Sequence, residues 1–257
     1  ILESAAQISL GSESGGNGTL NIENGGYVVS WKHASPSESA GIVGRGAGGT
    51  GLVTIKGGSR WDMPDGGLTV GWMGNGRIEM TGGNLTSTYG VIGRTPGSQG
   101  QVQLSSPTGE SSPYWDIDGP LAIGGDLVGT VGGTGRLSIG FECGVWTSGS
   151  TTIYAPGTLT LAGGRIETSS LSLAGTIEGN GELTGPVTNS TGLIHPAALE
   201  ASDPRSLTLW NSYVQASGGT LHVDVADDSV SEINLWDGDD TATLGGTLKV
   251  SILNGYV

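Results

Sequence analysis

The chain has 257 residues, 50 of them glycine, and no strict Gly-X-Y period, so a collagen triple helix is excluded. Ten basic against 24 acidic residues leave a net charge of −14, which argues against nucleic acid and anionic membrane surfaces as partners. A lone Cys143 permits no internal disulfide, and no apolar run approaches the ~20 residues of a membrane helix.

The opening stretch, "ILESAAQISLGS", enters a strand within a few residues and shows no amphipathic helix to cover it. There is no start Met and no signal peptide, so a mature product or a fragment is expected, with any export signal outside these residues. Next comes "GGNGTLNIE" (15–23), which nearly spells the nine-residue calcium repeat G-G-x-G-x-D-x-U-x. "GGTGLVTIK" (48–56), "MGNGRIEMT" (73–81) and "GGTGRLSIG" (132–140) do the same. The sixth position of that repeat should be a metal-binding Asp; here it is Leu20, Val53, Ile78 and Leu137. A branched hydrocarbon cannot coordinate a hard cation, so the position faces a core and the calcium roll is rejected.

Taking that aliphatic position as a ruler gives Leu20, Val53, Ile78, Val102, Leu137, Leu159, Leu183, Leu221 and Leu248. Four of the eight gaps lie between 22 and 25 residues, the length of one coil of a solenoid. The long gaps hold insertions at 30–40 ("SWKHASPSESA") and 105–119 ("SSPTGESSPYWDIDG"). Within a coil, one strand ends in Gly, as in "LTVG" (68–71) and "GVIG" (90–93). A second precedes a glycine pair, as in "VTIKGG" (53–58), and a third follows the pair, as in "SRWDM" (59–63). Alternate residues point inward, and glycines supply the corners.

The expectation is an all-β parallel β-helix with three short strands and about 22–25 residues per coil, right-handed by default. Residues 1–191 form the regular repeats. From 192 to 257 an irregular connector, "GLIHPAALEASDPRS", leads into terminal strands that continue the stack.

The "LTVGxxGxGxLxIxxGG" coils and the stretch 192–253 resemble the passenger repeats of autotransporters and related large secreted bacterial surface proteins. The resemblance implies an extracellular or cell-surface location. There the closing segment usually precedes a membrane barrel or a surface-sorting tail, neither of which lies within these residues. Such repeats carry adhesins, enzymes and inert stalks alike, so the resemblance speaks to architecture more than to activity.

Few residues suggest chemistry. The densest acidic stretch, "LWDGDDTATL" (235–244), offers Asp237, Asp239 and Asp240 to a calcium ion, but the spacing matches no complete loop and a solvated turn is the plainer reading. Trp61, Trp115 and Trp146 fall at or near the third strand of their coils and could stack into a row of platforms for sugar rings, or else fill the core. Arg77 and Arg136 share one repeat slot, Arg60 and Arg165 another, both reading as surface charge. His33, His195 and His222 show no metal spacing, Cys143 reads as a small core residue, and no nucleophile elbow or phosphate loop is present. No catalytic or cofactor-binding residue is singled out.

The expected function is therefore a non-enzymatic extracellular structural or adhesive segment of a surface, matrix or filament protein. Its expected partners are flanking coils or other copies end to end, with polysaccharide as a ligand class. The alternatives are a β-helical polysaccharide lyase or hydrolase, and a carbohydrate-binding module.

Overall fold

The computed structural model describes residues 2–4, 6–32, 39–107, 111–196, 206–226, 229–236 and 238–252. Among these residues every regular element is a strand, and apart from the short antiparallel strand Ser229–Val230 the strands stack in parallel into a prism with three faces. The first face contains Asn17–Ile22, Thr50–Ile55, Asn75–Met80, Gln99–Leu104 and Thr134–Gly140. It continues through the N-terminal halves of Gly157–Glu167 and Thr176–Thr184 to Leu193–His195, Thr220–Ala226 and Thr247–Ile252. The second face includes Arg60–Met63, Asn84–Ser87, Tyr114–Ile117 and Gly144–Thr147. The third is a sheet of ten strands, from Ile8–Leu10 to Ala242–Leu244. The expected parallel β-helix is thus the observed fold.

Two glycine slots make the corner between the third and first faces. Gly44, Gly71, Gly93 and Gly124 each have φ between 73° and 77°, left-handed backbone that favours glycine. Five to eleven residues on, Gly51, Gly76, Gly100 and Gly135 lie in register across the first face. A Cβ on any of these would run into the amide nitrogen of the corner glycine of its own coil. The two glycine slots are therefore steric: one glycine turns the chain and the other makes room for the turn.

The inward rows are dry and aliphatic. Val53, Ile78, Val102, Leu137 and Leu159 follow one another in register and are at most 1% exposed. Burying each such side chain contributes about 1.5–3 kcal/mol before the entropy of ordering is subtracted. Trp61 and Trp115 fill the same interior from the second face, in register through Leu85. Each indole lies against the glycine that opens the third-face strand of its own coil, Gly41 for Trp61 and Gly90 for Trp115, where a Cβ would come within 2.8 Å of the ring. Each also donates its Nε1–H to a serine on the second face of the preceding coil, Ser30 at 2.9 Å and Ser87 at 3.0 Å.

The spacing departs from the sequence ruler in one region. The residues in register with Leu159 are Ile177 and then Ile194, 18 and 17 residues further on, whereas Leu183 belongs to the second face beside Ile166. The physical reason is that the corner between the first two faces needs no separate turn here. Gly157–Glu167 and Thr176–Thr184 run continuously across it, with a register irregularity at the glycine pair 163–164. The coils are accordingly shorter, and each face carries ten strands rather than nine.

Two further boundaries differ. The stretch 105–119 contains a regular second-face strand, Tyr114–Ile117, so only its first part leaves the stack. A second excursion, closed by an antiparallel bridge between Gly125 and Val131, accounts for the rest of that long coil. The stretch 192–206 begins with the first-face strand Leu193–His195. Residues 33–38 of the first insertion, 108–110 of the second and 197–205 of the connector lie outside the described residues.

Candidate functional site

Because the interior is filled, any chemistry must sit on the outward rows. One row of the first face reads Asn21, Thr54, Glu79, Gln103, Ser138, Thr160, Glu178 and His195 from coil to coil. Beside it run Arg77, Gln101 and Arg136, also in register. With Thr50, Asn75, Gln99 and Thr134 these line a shallow depression of about 270 Å³. The arginines are surface charges, as expected, and several pair along their own strand: Arg77 with Glu79 at 2.6 Å and Arg165 with Glu167 at 3.2 Å.

The C-terminal end of the first face is different. Leu193 pairs with Thr220 and Ile194 with Leu221, so His195 and His222 occupy successive coils at the same outward position. Their rings stack with centroids 4.1 Å apart and planes inclined by 11°. Asp224, two residues beyond His222, aims its carboxylate at both: Oδ2 is 2.8 Å from His195 Nε2 and Oδ1 is 3.4 Å from His222 Nε2. Ser251 Oγ, on the next coil in register with Asp224, lies 2.7 Å from His222 Nε2.

The Asp224 backbone is fixed by Ser231, which accepts its N–H through Oγ at 2.7 Å and donates its own N–H to the Asp224 carbonyl at 2.8 Å. Burial pushes the His222 imidazole below its usual range, reinforced by His195 and Lys249 and opposed by Asp224. The three ligand-type atoms of His195, His222 and Asp224 all lie within 4.8 Å of one another. A groove of about 430 Å³ opens beside His222, lined by Thr176, Thr191, Leu193, Thr220 and Lys249 among others.

This cluster was not visible in the residue spacing, because His195 stood in a segment read as connector. The signal was there in another form: His195 and His222 are 27 residues apart, the same interval that separates Leu221 from Leu248. In a solenoid, one coil length is the spacing that brings two side chains together.

The tryptophan row does not form. Trp61 and Trp115 are fully buried and offer no surface to a sugar. They face inward because each stands one residue off the outward alternation on which Trp146 falls: Trp115 pairs with Val145, and Trp146 pairs with Asp116. Trp146 is 38% exposed and meets Tyr114 edge to face at 5.3 Å. Of the acidic loop, Asp239 is exposed and Asp240 half-buried, and Asp237 lies outside the described residues, as does His33. Cys143 is buried, as expected, and burial pushes its thiol up to about 11. No protein-family model, curated protein or solved structure matches the chain.

Proposed function

We propose that this chain is a non-enzymatic extracellular β-solenoid, a structural or adhesive segment of a bacterial surface, matrix or filament protein. One observation carries the reading: the parallel ladder runs through ten strands on the third face, with a filled interior and polar outward rows. At about 4.8 Å per strand this is a rod roughly 43 Å long, stiff because each coil hydrogen-bonds to the next. Its adhesive surface is the strip of Arg77, Gln101, Arg136 and neighbouring amides on the first face. Planar polar groups at coil spacing suit the hydroxyls of a polysaccharide.

The last described strand supports end-to-end stacking with further coils or another copy. Leu248, Val250 and Ile252 continue the inward rows, yet are 55–63% exposed. Light scattering with concentration should reveal end-to-end association. Small-angle scattering of the dilute chain should give the cross-section and length of a rod. A glycan array should detect binding that weakens when Arg77 and Arg136 are both changed to Ala. Release of new reducing ends from any bound polysaccharide would replace this reading with that of an enzyme.

A further inference from the structure

His195, His222 and Asp224 lie outside the adhesive strip and, among the described residues, bring three metal-ligand-type groups within 4.8 Å of one another. We propose that these three side chains form a mononuclear binding site for a divalent transition-metal ion, best matched by zinc, which clasps two successive coils of the solenoid.

The donor set selects the metal. Two imidazoles and one carboxylate suit borderline ions such as zinc, nickel or copper, whereas calcium and magnesium require oxygen ligands in larger number. The distances are close to what such an ion needs. Zinc–ligand bonds of about 2.0–2.1 Å in tetrahedral geometry place ligand atoms roughly 3.3 Å from one another. Here the carboxylate oxygens stand 2.8 and 3.4 Å from the two Nε2 atoms, and all the ligand atoms lie within 4.8 Å. Metal entry therefore requires a shift of about half an ångström at His195 and a tilt of the two stacked rings toward each other. The terminal ring torsion is broad enough to allow this.

The environment supplies a second, independent reason. The Asp224 carboxylate is only 10% exposed, and among the described residues its ion-pair partners are the two imidazoles alone. A buried carboxylate is costly unless it is paired with a hydrogen-bonding or cationic partner. A divalent ion between the three groups supplies positive charge, once the stacked rings have tilted to turn their Nε2 lone pairs toward it and His195 Nε2 has released the proton it shares with the carboxylate. Ser231 holds the Asp224 backbone from behind, and Ser251 Oγ is placed to ligate the ion or to hold its water. The groove beside His222 gives the ion and its water a path to solvent.

The consequence is mechanical. His195 lies on one coil, His222 and Asp224 on the next, so the ion cross-links two strands that are otherwise joined by backbone hydrogen bonds, packing and the His195–Asp224 contact. Because the folded coils alone bring the ligands together, binding stabilises the folded state.

The test uses the full chain, stripped with EDTA and titrated calorimetrically with zinc chloride, and in parallel with calcium chloride. The expected result is one zinc per chain, a thermal midpoint that rises with zinc and falls again with EDTA, and no response to calcium. Cobalt should give the intense visible bands of a tetrahedral site. His195→Gln and His222→Gln should each weaken zinc binding by more than the ~10–100-fold cost of losing a supporting contact. Ser251→Ala should stay at or below that range.

The proposal is overturned if zinc produces neither heat nor a shift in midpoint, which would leave the cluster as a plain histidine–aspartate ion pair. It is also overturned if the double glutamine variant, folded by circular dichroism, binds zinc as the parent does. Should that variant fail to fold, the parent's cobalt spectrum decides, and absence of the tetrahedral bands sinks the site.

Discussion

The middle and the C-terminal end of the prism fill the same slot in opposite ways. On the third face, Val43, Val70, Ile92, Ile123, Ile153 and Leu173 succeed one another in register and point inward. The next two members of that row are Asn189 and Gln215, both buried. Each amide is used. Asn189 Oδ1 accepts the Gly192 N–H at 2.8 Å. Gln215 Nε2 donates to the Thr247 carbonyl at 3.2 Å and to the Gly245 carbonyl, while its Oε1 accepts the Tyr213 hydroxyl at 2.8 Å. In the aliphatic coils the backbone closes the corner unaided: Gly71 N–H donates to Val43 O and Gly93 N–H to Val70 O. The difference shows that one inward position accepts either hydrocarbon or amide, provided the corner that follows supplies or consumes the matching hydrogen bonds.

The middle coils depend on volume, so removing volume there should do the most damage. Trp115→Ala empties a fully buried indole site beneath Gly90 and leaves Ser87 Oγ without its indole N–H. A loss of about 3–5 kcal/mol is expected from chemical denaturation. A cost below 1 kcal/mol would mean that the coils collapse onto the hole, and that the middle is less tightly packed than its burial implies. The dryness of the same region has a chemical readout at Cys143. With its thiol raised from 9.0 to about 11, chiefly by burial, the native chain should alkylate with iodoacetamide at mildly alkaline pH about a hundredfold more slowly than the urea-unfolded chain. Equal rates would show that water reaches this core.

The C-terminal coils should respond to chemistry rather than volume. Gln215→Leu nearly conserves size but leaves the Gly245 and Thr247 carbonyls without that donor and the Tyr213 hydroxyl without an acceptor. About 1–3 kcal/mol should be lost. Faster hydrogen exchange should be confined to the coils around Tyr213–Gln215 and Thr247–Ile252, with the middle unchanged. If the leucine variant is as stable as the parent, the amide row is incidental.

This contrast bears on what could be read from the residues alone. The three faces were legible because the corner glycines are steric necessities, and each strand type carries its own glycine signature. The short coils at 157–195 were not, because there the glycine pair 163–164 lies inside one strand instead of ending one, and the ruler takes Leu183 in place of Ile177 and skips Ile194. Burial of Trp61 and Trp115 depends on a glycine and a serine about 20 to 30 residues upstream in sequence, contacts that local alternation cannot express. The histidine cluster was hidden for the same reason, since its ligands come from two coils.

The smallest effect concerns the aromatic groups that line the corners outside. In the middle coils, Trp72 sits between two arginines, with Arg94 Cζ 4.1 Å and Arg45 Cζ 5.7 Å from its ring. All three residues directly follow a corner glycine, Gly44, Gly71 or Gly93, so coil spacing alone stacks them. At a different corner near the other end, just after the second-face strands Ser206–Leu209 and Glu232–Leu235, the stacked pair is aromatic: Trp210 and Trp236 lie 5.0 Å apart at 37°, and Trp236 is 66% exposed. A cation over an indole at a partly exposed site contributes about 0.5–1 kcal/mol. Arg94→Ala should therefore cost no more than that, and a double-mutant cycle with Trp72→Leu should recover most of the cost as coupling. Arg94→Lys should keep part of it, since an ammonium is still attracted to the ring but cannot lie flat upon it. A coupling near zero would mean that the corner is held by its backbone hydrogen bonds, such as Arg94 N–H to Gly71 O, and that the stacked side chains only follow the coil.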